Sequence, residues 1–211
     1  VLFAKMIWPN TPILHYTEWF YSGHSEDMQF SDPLVSDTRG NPSADARAKM
    51  VVRNVGHTAM LYEADCLLSP TFWQRSQFPK EFVHRINVLF DGVDVDFFQP
   101  GSNETFVSVR SSSAPSGFVR LDRTMEVITF CSRTLEPYRG FPHFMAVASR
   151  ILSERENLHI IAIGSDGASY GPDLANETWW QRTTRWYPEL ANHPRLHRVG
   201  RIKHEMMQRI F

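Results

Sequence analysis

Only two cysteines stand in the 211 residues, Cys66 and Cys131. Their wide separation excludes the close-spaced pairs that hold zinc or exchange disulfides, and both are expected reduced, as in a cytoplasmic protein. Neither sign of charge is in excess: 22 Lys and Arg against 23 Asp and Glu leave a formal net charge of -1, so the basic field that a nucleic-acid backbone requires is lacking. No apolar run is long enough to cross a bilayer, and the opening "VLFAKMIWPNTPILHY" is broken by Pro9 and Pro12 where a secretory leader would be continuous. A complete glycine-rich dinucleotide motif is missing too, as is any internal repeat. Together these absences predict a soluble protein, at most peripheral to a membrane, with no nucleic-acid partner.

What remains is ordinary globular material, 42% hydrophobic and 21% charged, so no part is expected to be disordered. "TPILHYT" reads as a short strand and "NPSADARAKMVVRNVGHTAMLYEAD" as a helix opened by Asn41 or Ser43, with Val51, Val55, Ala59 and Tyr62 on one face. "CLLS" predicts a buried strand, "PTFWQRSQF" a helix with Pro70 near its first turn, and "RINVLF" another strand. The Ser, Gly and Pro of "GSNETFVSVRSSSAPSG" mark a connection. Alternation then restarts: a strand over 126–131, a helix from about Pro142 to Arg155, the strand "HIIAIG", the helix "TWWQRTTRWYPEL", the strand "RLHRVG" and a last helix. "VITFC" and "HIIAI" are nearly continuously apolar, as parallel strands covered on both faces must be. The fold class is α/β with two Rossmann-like lobes, over 1–100 and 125–211, joined by 101–124.

The chemistry gathers at "CSRTLEPYRGF". Arg133 and Arg139 flank the exit of one strand and the start of the next helix, where doubly wound sheets bind anions. Two guanidiniums there suit a diphosphate; alternatively both are solvated loop residues, one of them paired with Glu136. Asp91-Gly92 reads as a tight turn. In "IAIGSDG", Gly164 and Gly167 follow a strand and allow a ligand close to the backbone. "DVD" at 94–96 has a metal-site form but reads as a turn, so no metal is expected. Trp179, Trp180, Trp186 and Tyr187 suggest a sugar platform, yet their helical spacing favours packing.

Taken together these strings resemble family 4 glycosyltransferases of the GT-B fold. "RINVLFDGVDVDFFQP" is similar to the segment leading out of that family's first domain. "FCSRTLEPYRGF" is similar to its phosphate motif, with Arg133 at the family's arginine and Arg139 where many members have lysine. "HIIAIGSDG" and "RLHRVGRIKHEMM", the latter carrying Gly200 and Arg201, resemble the strands and loops that follow. "TPILHYTEWFY", "SPTFWQRSQFP", "TLEPYRGF" and "SDGASYG" are similar to a bacterial subgroup. The resemblance implies a retaining, metal-independent transfer of a sugar from a nucleotide donor, in a cleft between two lobes. It assigns the diphosphate to Arg133, Arg139 and Gly140, further donor or cleft contacts to Asp166, Gly167, Tyr170, Gly200 and Arg201, and no cofactor. Near the transferred sugar many members carry a histidine; counting from Pro12 lands here on Glu18, which is favoured, with His15 as second choice.

The expected partners are a nucleotide sugar and a glycan or lipid-linked acceptor in a bacterial polysaccharide pathway, in the cytoplasm or peripheral to the inner membrane. A non-catalytic module that binds a nucleotide or sugar phosphate, and a nucleotide-sugar epimerase of the same architecture, are the alternatives. The chain opens on Val1 and stops at Phe211 within an apolar helical pattern. It is therefore expected to be a piece of a longer protein, with both lobes incomplete, and inactive alone.

Overall fold

The computed structural model describes residues 3–22, 43–99, 106–111, 114–167, 169–170, 174 and 176–210. Among these the chain divides into two compact units between Val93 and Asp94.

The first unit is built on three parallel strands in the order β1 (Leu14–Tyr16), β2 (Cys66–Ser69) and β3 (Ile86–Val88), in register at His15↔Leu67 and Leu67↔Ile86. A short helix, α1 (Ala4–Ile7), precedes β1, and the long helix α2 (Ala44–Glu63) joins β1 to β2 as a parallel crossover must. Ser43 caps α2, its hydroxyl accepting the Ala46 N–H at 3.1 Å; Asn41 lies outside the described residues. The face expected to be buried is not. Val51, Val55 and Tyr62 are exposed and Ala59 is half-buried, whereas Met60, Leu61 and the polar Asn54 are buried. Asn54 holds a core-side position because its amide answers the Tyr21 backbone in both senses: Oδ1 accepts the Tyr21 N–H at 2.9 Å and Nδ2 donates to the Tyr21 carbonyl.

Beyond β2 come α3 (Phe72–Ser76) and α4 (Lys80–Val83). Thr71 rather than Pro70 opens α3: its hydroxyl accepts the Gln74 N–H at 3.1 Å, and Pro70 lies one residue before the cap. Leu61, Leu67, Phe78, Phe82 and Ile86 pack into the core of this unit, each fully buried large side chain contributing about 1.5–3 kcal/mol. At the exit of β3, Gly92 takes a φ of 80°, but the tight turn read from "DG" is not formed there, and residues 89–94 run without a turn or bend. The segment is tied back to β1, where the Tyr16 hydroxyl donates to Asp91 Oδ1 at 2.6 Å. That hydrogen bond above all raises the Tyr16 pKa to about 12.

The second unit carries a parallel sheet in the order β6 (Glu126–Thr134), β7 (Leu158–Ser165) and β8 (Leu196–Gly200). Between β6 and β7 runs α5 (Phe141–Glu154), and between β7 and β8 runs α6 (Trp179–Trp186); α7 (His204–Met207) follows β8. Thr178 and Gln181 close a reciprocal capping box at the start of α6. The side chains of α5 at Phe141, Met145, Ala148 and Leu152 meet Ile160 and Trp179 in one core. Trp180 and Tyr187 pack against that core while Trp186 is more exposed, so these aromatics serve chiefly as packing.

The segment read as a connection is instead structured. An antiparallel hairpin, β4 (Phe106–Arg110) and β5 (Phe118–Asp122), pairs Val109 with Val119 and Val107 with Leu121. Its inner residues Val109 and Leu121 pack on Ile161 and Ile163 of β7. Alternate residues of β7 thus face α5 and the hairpin, and β7 is the strand covered on both sides. β6, expected to be equally buried, is half-exposed along most of its length, because among the described residues it pairs with β7 alone. The Ser, Gly and Pro around "FVSVR" hide an alternation only four apolar residues strong.

Under the hairpin lies a buried polar chain. His197 Nδ1 meets Ser111 Oγ at 3.0 Å and its Nε2 meets His159 Nδ1 at 2.9 Å, with His197 and Ser111 both buried. Burial first, then His159 and His193, lower the His197 pKa to about 4, and burial with Arg195 and His193 lowers that of His159. A base whose folded pKa lies below its unfolded value of 6.5 gives stability that is whole above 6.5 and is lost as pH falls toward 4. Chemical denaturation should therefore show the second unit less stable at pH 5 than at pH 7 by about 2 kcal/mol from this residue. His197→Leu should flatten that dependence; an unchanged pH slope in the variant would refute the assignment.

Candidate functional site

The exit of β6 departs from regular pairing. Cys131 lies opposite Ile163 and Thr134 opposite Ser165, so β6 advances three residues while β7 advances two. Ser132 and Arg133 together face Gly164, the arrangement of a bulge, which bends a strand and re-aims its side chains. The local backbone is well satisfied: Ser165 Oγ donates to the Arg133 carbonyl at 2.9 Å, Ser132 Oγ to the Thr134 carbonyl at 2.8 Å, and the Leu135 N–H to the Ser165 carbonyl at 3.0 Å. Arg133 itself is exposed, with no hydrogen bond or ion pair to its guanidinium among the described residues.

After β6 the chain makes one 3-10 turn, Pro137–Arg139, and Gly140 then opens α5. Gly140 has φ 75°, a left-handed conformation that glycine adopts without steric cost. It brings no capping side chain to the first turn of α5, leaving the positive end of the helix beside both arginines. Arg139 is partly exposed, its Nε 4.0 Å from Glu136 Oε1 and its guanidinium carbon 5.7 Å from the centroid of the Tyr170 ring. Glu136 is fully buried. The pairing with Glu136 raised as the alternative for these arginines therefore occurs at Arg139, at long range, and not at Arg133.

The remaining candidates separate. Tyr170 is brought to this edge, exposed beside Arg139. Asp166 is engaged: its Oδ2 pairs with Arg198, whose guanidinium lies 5.1 Å from the Trp180 ring centroid, and the pair ties the β7 loop to β8. Gly164 does not open the backbone to a ligand; a Cβ there would sit 2.8 Å from Leu135 Cδ2 and 2.9 Å from the Ser132 carbonyl oxygen. Gly167 lines a concavity of about 310 Å³ with Asn176, Glu177, Thr178 and Gln181. On its wall Glu177 is paired with Arg182 at 2.7 Å and with Arg185 at 3.2 Å. Gly200 ends β8, and the exposed Arg201 follows it. Glu136 was read only as an ion-pair partner for one of the arginines, and Ser169 escaped the sequence reading.

In the first unit His15 and Glu18 diverge. His15 is half-buried on β1 with its Nε2 unpartnered, its ring 5.7 Å from that of His57, whose Nδ1 is likewise unpartnered among the described residues. Burial first, then His57, lowers its pKa. Glu18 lies beyond the strand end, exposed, and its carbonyl accepts from Gln74 Nε2 at 3.1 Å. Among the described residues no three His, Cys, Asp or Glu side chains gather as a metal site. Asp94 Oδ1 instead accepts the N–H groups of Asp96 and Phe97, making "DVD" a turn.

Residues 1–98 match the family described as the glycosyl transferase family 4 group. The match takes in the whole of the first unit and stops within the first residues of the second. No curated protein matches the chain. The mixed α/β architecture, with a parallel sheet in each unit, is that of the Rossmann-like lobes of GT-B glycosyltransferases, and no helix among the described residues is long and apolar enough to cross a membrane.

In the second unit the bulge depends on the missing side chain of Gly164. Gly164→Ala should cost about 1–3 kcal/mol, the usual range for overpacking against neighbours that cannot retreat, because one of the two crowded atoms is backbone. Thermal denaturation measures it; an unshifted transition would show that β6 can yield.

Proposed function

We propose that the intact protein is a retaining glycosyltransferase that moves a sugar from a nucleoside diphosphate to a glycan or lipid-linked acceptor without a metal. The observation that carries this is the pair Arg133 and Arg139 at the bulged carboxyl edge of β6, beside the start of α5. The family match over the first unit supports it from the other side of the chain.

As the bond between the anomeric carbon and the diphosphate stretches, negative charge grows on the departing oxygen and the sugar turns cation-like. The Gly140 backbone and the positive helix end are fixed before reaction and the two guanidiniums stand beside them, so together they favour the transition state over the ground state. Fixed cations at that spot do what a divalent ion would otherwise do. Tyr170 forms a wall beside the diphosphate, with Gly167, Gly200 and Arg201 at the neighbouring strand ends. Glu18 is the group assigned to the reacting sugar. His15, half-buried against His57, is the second choice and acts as a neutral imidazole. The setting proposed is bacterial glycan synthesis in the cytoplasm or at the inner face of its membrane.

Incubating the intact protein with labelled nucleotide sugars tests this: transfer to an acceptor supports it, while an epimerised nucleotide sugar, or binding without turnover, would replace it with an epimerase or a binding module. Arg133→Ala and Arg139→Ala should each lose about 2–4 kcal/mol of transition-state stabilisation in kcat/KM. Arg139→Lys should retain more activity than Arg133→Lys. Wild-type turnover in Arg133→Ala would remove the diphosphate assignment. Chelation should leave the rate unchanged; loss with EDTA and recovery with manganese would overturn metal independence.

A further inference from the structure

Glu136 is a charged side chain with no exposure at all, set among the buried Leu135, Pro137 and Phe141. Burying a carboxylate is costly unless its oxygens are fully engaged, and an apolar residue of similar volume commonly does as well for stability. Here the oxygens are engaged by two different loops. Thr134 Oγ1 donates to Oε1 at 3.0 Å, and the backbone N–H groups of Ser169 and Tyr170 reach Oε2 at 2.8 and 3.3 Å. Thr134 Oγ1 also meets Ser169 Oγ at 2.8 Å. On the main-chain side, the Glu136 carbonyl accepts the N–H groups of Arg139 at 3.1 Å and Phe141 at 3.3 Å. Arg139 Nε stands 4.0 Å from the same carboxylate, and its guanidinium lies beside the Tyr170 ring.

From this arrangement we infer that Glu136 is a positioning residue for nucleoside diphosphate binding: it locks the loop after β7 to the exit of β6 so that Arg139 and Tyr170 are presented side by side. The inference rests on the diphosphate reading of Arg133 and Arg139 given above. A charged acceptor is required because two backbone N–H donors and a guanidinium converge on one side chain, and charge-assisted hydrogen bonds are roughly twice as strong as neutral ones. The carboxylate also offsets one of the two arginine charges before a ligand arrives, which lets both cations occupy one strand edge without repelling each other apart. Tyr170 would otherwise lie on a loop with no fixed relation to Arg139, since the two residues belong to different crossovers of the sheet.

The test uses the full chain, with uridine, guanosine and adenosine diphosphates titrated by calorimetry well below the melting transition. Wild type should bind at least one of them. Glu136→Gln, which keeps the volume and removes the charge, should weaken that binding by about tenfold, and hydrogen exchange at the Ser169 and Tyr170 amides should accelerate. In an Arg139→Ala background the same change should have little further effect on affinity, because the two act through one contact. Ser169→Pro removes one donor to Glu136 without altering the core; it should weaken binding as well and decides the matter if Glu136→Gln fails to fold. Folded Glu136→Gln or Ser169→Pro with wild-type affinity would overturn the positioning role alone. Failure of wild type to bind any of the three would overturn the diphosphate reading and this inference with it.

Discussion

One extra residue in β6, accommodated opposite a glycine in β7, sets the geometry of the second unit's candidate site. Regular pairing from Glu126↔Leu158 to Cys131↔Ile163 holds the strand in the sheet, and the slip before Thr134↔Ser165 releases it. Were the pairing unbroken, Arg133 would fall into strict alternation with its neighbours, and Leu135 would not reach the space over Gly164. The slip turns Leu135 into the core of α5 and β7 and delivers the chain to the turn that carries Arg139 and Gly140. Packing and site are therefore consequences of one irregularity, and Gly164 serves both by being small.

That irregularity is supported from two directions. On one face of β7 the hairpin β4–β5 covers Ile161 and Ile163, and on the other α5 covers Ile160. A strand clamped in this way has a fixed register, because a shift of one residue would exchange its two apolar faces. β6 has no such cover along much of its length, so it is the strand that bulges. A similar displacement occurs at β8, where the register moves from Ala162↔Arg198 to Ile163↔Gly200. Both outer strands thus yield near their carboxyl ends while the central one does not.

Much of the fold was legible because apolar runs and cap residues are local signals. "CLLS", "HIIAIG" and the 142–155 helix are found close to where the pattern puts them. The hairpin was not legible, since its few apolar residues sit among Ser, Gly and Pro whose composition resembles a linker. The inner face of α2 was misread for a different reason: Asn54 outcompetes valines for the core side through its two hydrogen bonds to Tyr21, which no hydrophobicity pattern reports. At the site the arginines were legible as positions, while their surroundings were not. Glu136 contacts residues 33 and 34 positions away, and Asp166 is taken up by Arg198; both are tertiary facts. His15 and Glu18 differ in exposure because β1 ends at Tyr16, leaving Glu18 outside the strand.

The central claim is that the carboxyl edge of β6, and not the concavity beside α6, receives a diphosphate. Backbone amide shifts followed by NMR during titration of the chain with a nucleoside diphosphate test it most directly. The largest perturbations should fall on residues 133–141 and on Ser169 and Tyr170, with those near Glu177 and Gln181 little changed. Perturbations concentrated at residues 176–181, or none at the β6 exit at saturating ligand, would contradict it.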